Sequence, residues 1–252
     1  MSVGMALSAS NGVVVFADGR TSHAVGGEAQ SDTTVKLVAA PHDLPFVVVP
    51  LGRASVNGVV TADLVELVLD DLPYEDLRMM NLRTVTQYLV AALMAADAVW
   101  PQEGAGEKSE SLRTGFSLLV AGYGLATPPG NATVWTATVP TRGVPLQRSE
   151  EPVTLCGSGT DSDTLLRDLF DSFNDDLKDG TLVDGQDTYR LSGLSMTQVR
   201  ERAEAVLRTA AGSYPRELLD GGVGGWWLFA QVGSDGSVTV DSADIGPMIV
   251  RG

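Results

Sequence analysis

The sequence predicts an α+β fold, a four-layer αββα sandwich of two antiparallel sheets flanked by helix pairs. Two observations support this prediction. Short apolar runs rich in β-branched residues come in groups joined by turn residues, and segments with a helical period come in pairs between those groups. Grouped strands and grouped helices favour antiparallel sheets covered by helices, whereas strict alternation favours a doubly wound parallel sheet. From the length of 252 residues, we expect a single domain spanning residues 1–252.

The predicted strands begin with a hairpin. Apolar runs at 2–8 and 12–17 flank the turn Ser10-Asn11-Gly12, in which Asn and Gly tolerate positive φ. A second antiparallel pair is predicted from 33–39 and 46–50, which are joined by a loop with two prolines. Further strands are predicted at 115–122, 132–139, 153–156, 226–232 and 237–241.

Four helices are predicted from apolar residues that recur with a helical period, at 62–72, 82–100, 164–177 and 196–211. The first stops before Pro73 and the second stops at Pro101. The fourth begins at Ser195, an N-cap residue followed three positions later by Gln198. The segment 102–114 is rich in Gly, Ser, Glu and Lys, and we expect it to form a surface loop.

Composition excludes several classes of partner. The formal net charge is −15, with only 17 Lys and Arg residues, which disfavours nucleic acid and anionic membranes because phosphate binding requires clustered cations. The single cysteine, Cys156, cannot form an internal disulfide, which fits a reducing compartment. The first residues show no basic segment followed by a continuous apolar block, and no run approaches the roughly 18 apolar residues of a membrane helix. We therefore expect a cytoplasmic protein.

Ser2 follows Met1 directly, so removal of one residue would place a hydroxyl beside a free α-amine. The pKa of an α-amine is about 7.7–8.0, so a fraction is neutral near pH 7 and can accept the proton of its own residue's hydroxyl. The predicted hairpin places the start of its first strand beside the end of its second, where Asp18 lies. A Lys36 ammonium held by Asp18 would favour the neutral amine and a developing alkoxide.

Each of these residues also has a plain structural interpretation. An aspartate before a glycine, as Asp18 is, is typical of a turn. Lys36 is compatible with a solvent-facing strand position, and Ser2 with a frayed terminus. The two histidines, His23 and His42, are not spaced as zinc ligands, and they do not indicate a Ser-His-Asp triad. It is the ordered set of Ser2, Asp18 and Lys36 that favours a functional site.

The run from Met5 to Thr21 resembles the opening of a proteasome β-type subunit, a family of N-terminal nucleophile hydrolases. In this resemblance Ser2 stands at the N-terminal threonine nucleophile and Asp18 at the acidic residue after the second strand. Lys36 stands at the active-site lysine. Gly52 stands at the glycine whose backbone N–H contributes to the oxyanion hole.

Two later stretches extend the resemblance. The sequence CGSGT at 156–160 is similar to the family's Gly-Ser-Gly turn, and it contains Ser158. The sequence DGGVGG at 220–225 is similar to the family's Asp-x-x-Ser-Gly-Gly stretch, and it begins with Asp220. The resemblance implies that Ser158 and Asp220 orient the α-amine of the nucleophile.

The resemblance implies a peptidase that hydrolyses peptide amide bonds through an acyl-enzyme on Ser2, with no metal or organic cofactor. Its substrates would be peptides or unfolded proteins, and its assembly would be a homo-oligomeric ring. The resemblance does not decide whether an ATPase is a partner. Serine replaces the usual threonine at position 2, and Val223 stands where the family usually has a serine. These departures favour the alternative, a catalytically silent ring-forming or scaffold homologue that has kept the fold.

Overall fold

The computed structural model of the protein describes residues 2–19, 21–22, 29–31, 34–52, 55–56, 59–98, 116–124, 132–139, 146–149, 153–158, 193–213 and 226–245. Apolar and β-branched runs in these ranges form strands, because such side chains suit a pleated and half-buried surface. The strands are β1 (Ser2–Ala9), β2 (Gly12–Asp18), β3 (Thr21–Ser22), β4 (Ala29–Ser31), β5 (Val38–Ala39), β6 (Phe46–Leu51), β7 (Ser55–Val56), β8 (Val59–Val60), β9 (Phe116–Gly122), β10 (Thr133–Val139), β11 (Gln147–Ser149), β12 (Val153–Ser158), β13 (Trp226–Gly233) and β14 (Val238–Asp244).

Two five-stranded sheets contain most of these strands. The strand order of the first sheet is β12-β1-β2-β13-β14, and that of the second sheet is β11-β10-β9-β6-β5. Neighbouring strands in both sheets are antiparallel. The pairs β3–β4 and β7–β8 form separate two-stranded hairpins. In the first sheet Ala9 pairs with Gly12, so the predicted turn joins β1 to β2.

The helices of the described ranges are α1 (Thr61–Asp70), α2 (Tyr74–Met79), α3 (Leu82–Ala98) and α4 (Met196–Ser213). α1 packs on α3 and β6, and α3 packs on β9 and β10 of the second sheet. α4 packs on β1, β2 and β13 of the first sheet. At its start the Ser195 N–H donates to Gln198 Oε1 at 2.9 Å and the Gln198 N–H donates to Ser195 Oγ at 3.4 Å, so the predicted capping box is present.

An apolar core lies between the two sheets. Side chains along a strand alternate between faces, so every second residue of a strand can point toward the facing sheet. The opposite faces of β6 and β9 form a second core with α1 and α3. Burial of apolar surface is the main favourable term in folding, and these cores fix the two sheets relative to each other. The core between the sheets contains Ala6, Val13, Val15, Ala17, Leu37, Val47, Val49, Leu51, Leu119, Ala121, Val134, Ala230 and Val232.

The predicted fold class is confirmed at the level of a mixed α and β protein with antiparallel sheets. The first hairpin is present, and the helix predicted at 82–100 is present as α3. The helix predicted at 164–177 and the loop predicted at 102–114 lie outside the described residues. Along β13 the two neighbouring tryptophans lie on opposite faces, with Trp227 buried and Trp226 exposed.

Some segments differ from the prediction. Of the strand predicted at 33–39, only Val38–Ala39 pairs with β6. The Thr34 N–H instead donates to the Gly19 carbonyl at 2.9 Å, which ties this segment to the end of β2. The elements α2, β11 and the β7–β8 hairpin were not predicted, because none of them contains a run of apolar residues long enough to show a period.

In the ranges that the structure covers, the helices are too short or too polar to cross a membrane. In the same ranges, no three His, Cys, Asp or Glu side chains are grouped as ligands for a metal ion.

Gly122 provides a test of the packing between β9 and the loop before β6. Its φ is +142°, and an added Cβ would contact the Pro45 carbonyl oxygen and lie 2.6 Å from Phe46 Cα. Gly236 is a matched control, since its φ is +88° but an added Cβ would meet nothing within 4 Å. Both alanine variants strain the backbone, but only Gly122→Ala also overpacks it. We expect Gly122→Ala to lower the free energy of unfolding by about 1–3 kcal/mol more than Gly236→Ala. Chemical denaturation measures the difference, and equal losses would contradict the packing.

Candidate active site

Asp18 is a fully buried carboxylate at the end of β2, beside the start of β1. In the antiparallel ladder Gly4 pairs with Ala17, so the next residues along, Val3 and Asp18, lie side by side. The Val3 N–H donates to Asp18 Oδ1 at 2.8 Å. The carboxylate therefore holds the backbone of β1 one residue after Ser2.

Lys36 provides the cation for this carboxylate. Its Nζ lies 3.2 Å from Asp18 Oδ2, and the exposed fractions of the two side chains are 7% for Lys36 and 0% for Asp18. The hydrogen bond from the Thr34 N–H to the Gly19 carbonyl holds the Lys36 segment against the end of β2. Lys and Asp are almost never fully buried unless they are paired. The structure therefore does not support the alternative interpretation of the sequence, in which the Lys36 side chain faces solvent.

The environment of Asp18 acts on its protonation in two directions. Burial raises the pKa of the Asp18 carboxyl above its ordinary value, because a charge is poorly solvated there. The Lys36 ammonium and the Val3 N–H partly oppose this rise by stabilising the carboxylate. The net effect is a raised pKa of the Asp18 carboxyl. Burial of the ion pair therefore carries a desolvation penalty that an ion pair on the surface does not have.

Ser2 and Ser158 are brought together by the first sheet. β1 begins at Ser2, β12 ends at Ser158, and the two residues are paired in the antiparallel ladder. Removal of Met1 would expose the α-amine of Ser2. The next residue, Val3, carries the N–H that donates to Asp18. The start of β1, Asp18, Lys36 and the end of β12 thus share one end of the first sheet.

Gly52 directly follows β6, a strand of the second sheet. Its φ is +102°, a conformation that residues with a side chain rarely adopt. β6 packs closely on β1 at this end, because a Cβ on Gly4 would lie 3.1 Å from Leu51 Cδ1 and 3.1 Å from Val49 Cγ1. The glycine at position 4 therefore permits the close approach that brings the end of β6 toward the start of β1.

Sequence reasoning missed two residues beside this site. The Val3 backbone N–H carries no side-chain signature, and Ser117 is one of many serines in the chain. Ser117 is buried on β9, and its hydroxyl partly opposes the rise that burial causes in the pKa of the Cys156 thiol on β12. Burial raises the pKa of the Cys156 thiol to about 12, so it stays protonated. Cys156 packs against the core between the sheets.

The remaining predicted site residue, Asp220, lies outside the described residues, as does Val223. The described residues combine a strand that begins at Ser2, a buried carboxylate and a buried ammonium within 3.2 Å of it. A cation fixed in this way can lower the proton affinity of a nearby amine and stabilise a nearby oxyanion. The arrangement suits chemistry at an N-terminal hydroxyl.

No model of a known protein family matches the chain, and no curated protein sequence matches it. Among solved structures, the chain is similar to the Anbu (Gly-1) mutant from Hyphomicrobium sp. strain MC1. The two share 14% sequence identity and a TM-score of 0.58, over 97% of this chain and 87% of that chain. A likeness at this identity concerns the fold alone: the chain shares its fold with that protein.

Proposed function

We propose that this chain is an N-terminal nucleophile peptidase that hydrolyses peptide amide bonds through an acyl-enzyme on Ser2. Removal of Met1 frees the α-amine of Ser2, which serves as the base for its own hydroxyl. The observation that carries the proposal is the buried pair of Asp18 and Lys36 at the strand end where Ser2 lies. Fold similarity to a proteasome-like protein supports it independently of that pair.

A structural role alone accounts poorly for this ion pair. Desolvation of two buried charges can exceed their mutual attraction, and apolar residues of similar volume often serve stability as well or better. Perturbed titratable groups cluster at functional sites. Asp18 contacts the backbone of β1 next to Ser2, so its partner Lys36 is held near the proposed nucleophile.

Each residue has a role in the proposed reaction. Lys36 lowers the proton affinity of the Ser2 amine and stabilises the alkoxide, while Asp18 holds Lys36 in place. The Gly52 N–H donates to the oxyanion of the tetrahedral intermediate. Ser158 orients the Ser2 amine from the neighbouring strand. The tetrahedral intermediate collapses with cleavage of its C–N bond, and the protonated Ser2 amine gives its proton to the leaving amine, which is the first product. Water then attacks the acyl-enzyme, with the same amine as base, and releases the carboxylic acid product and free Ser2.

Asp220 is proposed to assist Ser158 in orienting the amine. The complete fold is proposed to be a four-layer αββα sandwich. α1 and α3 on the outer face of the second sheet and α4 on the outer face of the first support this arrangement.

We further propose that the protein forms a homo-oligomeric ring in the cytoplasm. Large apolar side chains are exposed on the helices over the second sheet, namely Leu67, Tyr74, Met79, Tyr88 and Met94. Exposed apolar clusters on a monomer are typical of interaction surfaces. A ring would enclose the nucleophile, which would restrict access to peptides and unfolded proteins.

A second candidate function is a catalytically silent scaffold with the same fold and assembly. The observation that favours it is Val223, which stands where the resembled family usually has a serine and whose side chain neither donates nor accepts a hydrogen bond. The exposed apolar surface of α1–α3 serves this function equally well. Reactivity at Ser2 separates the two candidates.

Removal of the Lys36 charge tests the proposed mechanism. In Lys36→Met, labelling of Ser2 by an electrophilic peptide probe should slow by about 10²-fold or more, because electrostatic stabilisation is lost. This variant should also lose about 3–5 kcal/mol of unfolding free energy, because the buried Asp18 carboxylate loses its partner. Labelling kinetics followed by mass spectrometry and chemical denaturation provide the two measurements.

A double variant separates chemistry from folding. Asp18→Asn with Lys36→Met leaves no buried charge, and the new amide oxygen can still accept from the Val3 N–H. We expect it to recover most of the stability and none of the labelling. Labelling of the double variant at the wild-type rate would remove the ion pair from the mechanism.

Assembly is tested by sedimentation velocity at micromolar concentration and moderate salt. We expect a species several times the mass of the 26.4 kDa chain, because the apolar surface of α1–α3 requires a partner. Leu67→Glu with Met79→Glu, two exposed changes, should shift the protein toward the monomer. A wild-type protein that sediments as a clean monomer would refute the ring.

A further inference from the structure

The end of the first sheet that carries Ser2 also carries an exposed tryptophan, Trp226. In the antiparallel ladder Asp18 pairs with Trp227 of β13, and Val3 of β1 lies beside Asp18 on its other side. Ser2 and Trp226 are each one residue closer to the end of the sheet, because β1 and β13 both run antiparallel to β2. The two positions therefore belong to one row across the sheet, with β2 between them.

This row lies on the face of the first sheet that is turned toward the second sheet. Every second residue of a strand shares a face, so Trp226 lies on the side of Ala230, which belongs to the core between the sheets. Ser2 lies two positions before Gly4, where an added Cβ would lie 3.1 Å from Leu51 Cδ1 of the second sheet. Both positions are therefore on the face that the second sheet covers farther in.

Trp226 is left open at the edge of this covered face. The exposed fraction of its side chain is 46%, whereas Ala230 is fully buried. Gly19 follows Asp18 at the end of β2, so the position between Ser2 and Trp226 is occupied by a residue without a side chain. The indole ring and the start of β1 therefore share one stretch of surface at the end of the sheet.

A second exposed apolar side chain lies near Gly19. The Thr34 N–H donates to the Gly19 carbonyl at 2.9 Å, and the next residue, Val35, is 55% exposed. The residue after that, Lys36, is buried against Asp18. Apolar side chains that stay exposed beside a candidate nucleophile are suited to contact an apolar group of a substrate.

The separation between Ser2 and Trp226 fits a substrate side chain that is a few residues from the cleaved bond. Neighbouring strands are about 4.8 Å apart, so the two backbones are roughly 10 Å apart across β2. An extended peptide rises about 3.3 Å per residue, so about three residues span this distance. The ring of a tryptophan packs well against another aromatic ring, and such pairs stabilise beyond the area that they bury.

We propose that Trp226 is a specificity-determining residue that binds an aromatic side chain of the peptide substrate, about three residues from the cleaved bond. This inference rests on the proposed function and names the class of peptide that the same site prefers. The indole supplies apolar contact area and takes no part in bond making or breaking. It therefore selects among peptides by the strength of their binding.

Val240 offers a matched control on the same sheet. It is 47% exposed and pairs with Ala230, four residues along β13 from Trp226. Paired residues share a face, so Val240 is an exposed apolar side chain on the same face, about 13 Å farther from the end of the sheet. Val240→Ala therefore removes exposed apolar surface away from the site, while Trp226→Ala removes it beside Ser2.

The first measurement does not depend on activity. A Ser2→Ala variant, which cannot turn over a peptide, is labelled with 5-fluorotryptophan, and the Trp226 signal in its ¹⁹F NMR spectrum is the one that Trp226→Phe removes. A hexapeptide amide with one phenylalanine among glycines and serines should shift this signal, with or without Val240→Ala. The same peptide with serine in place of phenylalanine should not. No shift with the phenylalanine peptide would overturn the inference.

The second measurement compares kcat/KM for peptides that carry phenylalanine or serine three residues before or three residues after the cleaved bond. In one of these two series, wild-type protein should prefer phenylalanine by about tenfold, because an aromatic contact is gained. Trp226→Ala should abolish the preference, and Trp226→Phe and Val240→Ala should keep it. A preference that Trp226→Ala leaves unchanged, or no preference in either series, would contradict the proposed role.

Sedimentation velocity decides between a substrate and a second copy of the chain as the group that contacts Trp226. Trp226→Ala should sediment as wild type does, and a smaller species with an unchanged peptide preference would overturn the inference. A wild-type protein that hydrolyses none of the peptides contradicts the proposed peptidase. A phenylalanine-dependent shift of the Trp226 signal would support the binding site even then.

Discussion

The buried contact among Asp18, Lys36 and the Val3 N–H is the interaction on which the candidate site depends. It joins the end of β2, the segment before β5 and the start of β1 at one point. A carboxylate in this position satisfies one backbone donor and one ammonium, and removal of either partner leaves an uncompensated buried group. The position of Ser2 in the first sheet therefore depends on the pairing of the Asp18 and Lys36 charges in the core.

The second constraint is the packing of one sheet on the other. Gly52 and Ser2 are on separate sheets, so any chemistry that uses both requires the sheets to keep a fixed distance. The apolar core supplies most of the packing between the two sheets. Gly4 allows the sheets to approach each other closely at the end where the site lies.

The sequence predicted the parts of the fold that have a long period or a clear turn. The β1–β2 hairpin follows from alternation around an Asn-Gly turn, and α4 from its helical period and capping box. The short elements α2 and β7–β8 lack the length to show a period. The order of strands within each sheet depends on contacts distant in sequence, which a single chain does not reveal.

The site was predictable only in part. Ser2, Asp18 and Lys36 were identified because their order matches a known arrangement, and the structure adds that Asp18 and Lys36 are in contact. The hydrogen bond from Val3 was not predictable, because a backbone donor has no sequence signature. Ser117 was missed for a different reason: its strand β9 and the strand β12 of Cys156 belong to different sheets, so no local pattern links them.

The most direct test of the central claim compares two forms of the chain that differ only at the N-terminus. One begins at Ser2 after cleavage of a removable leader, and the other retains Met1. We predict that an electrophilic peptide probe forms an adduct mapped to Ser2 in the first form alone. Its rate should rise with pH through a midpoint at or below about 7.7–8.0, because the Lys36 ammonium disfavours protonation of the amine. Equal labelling of both forms, or an adduct mapped to another residue, would contradict the account.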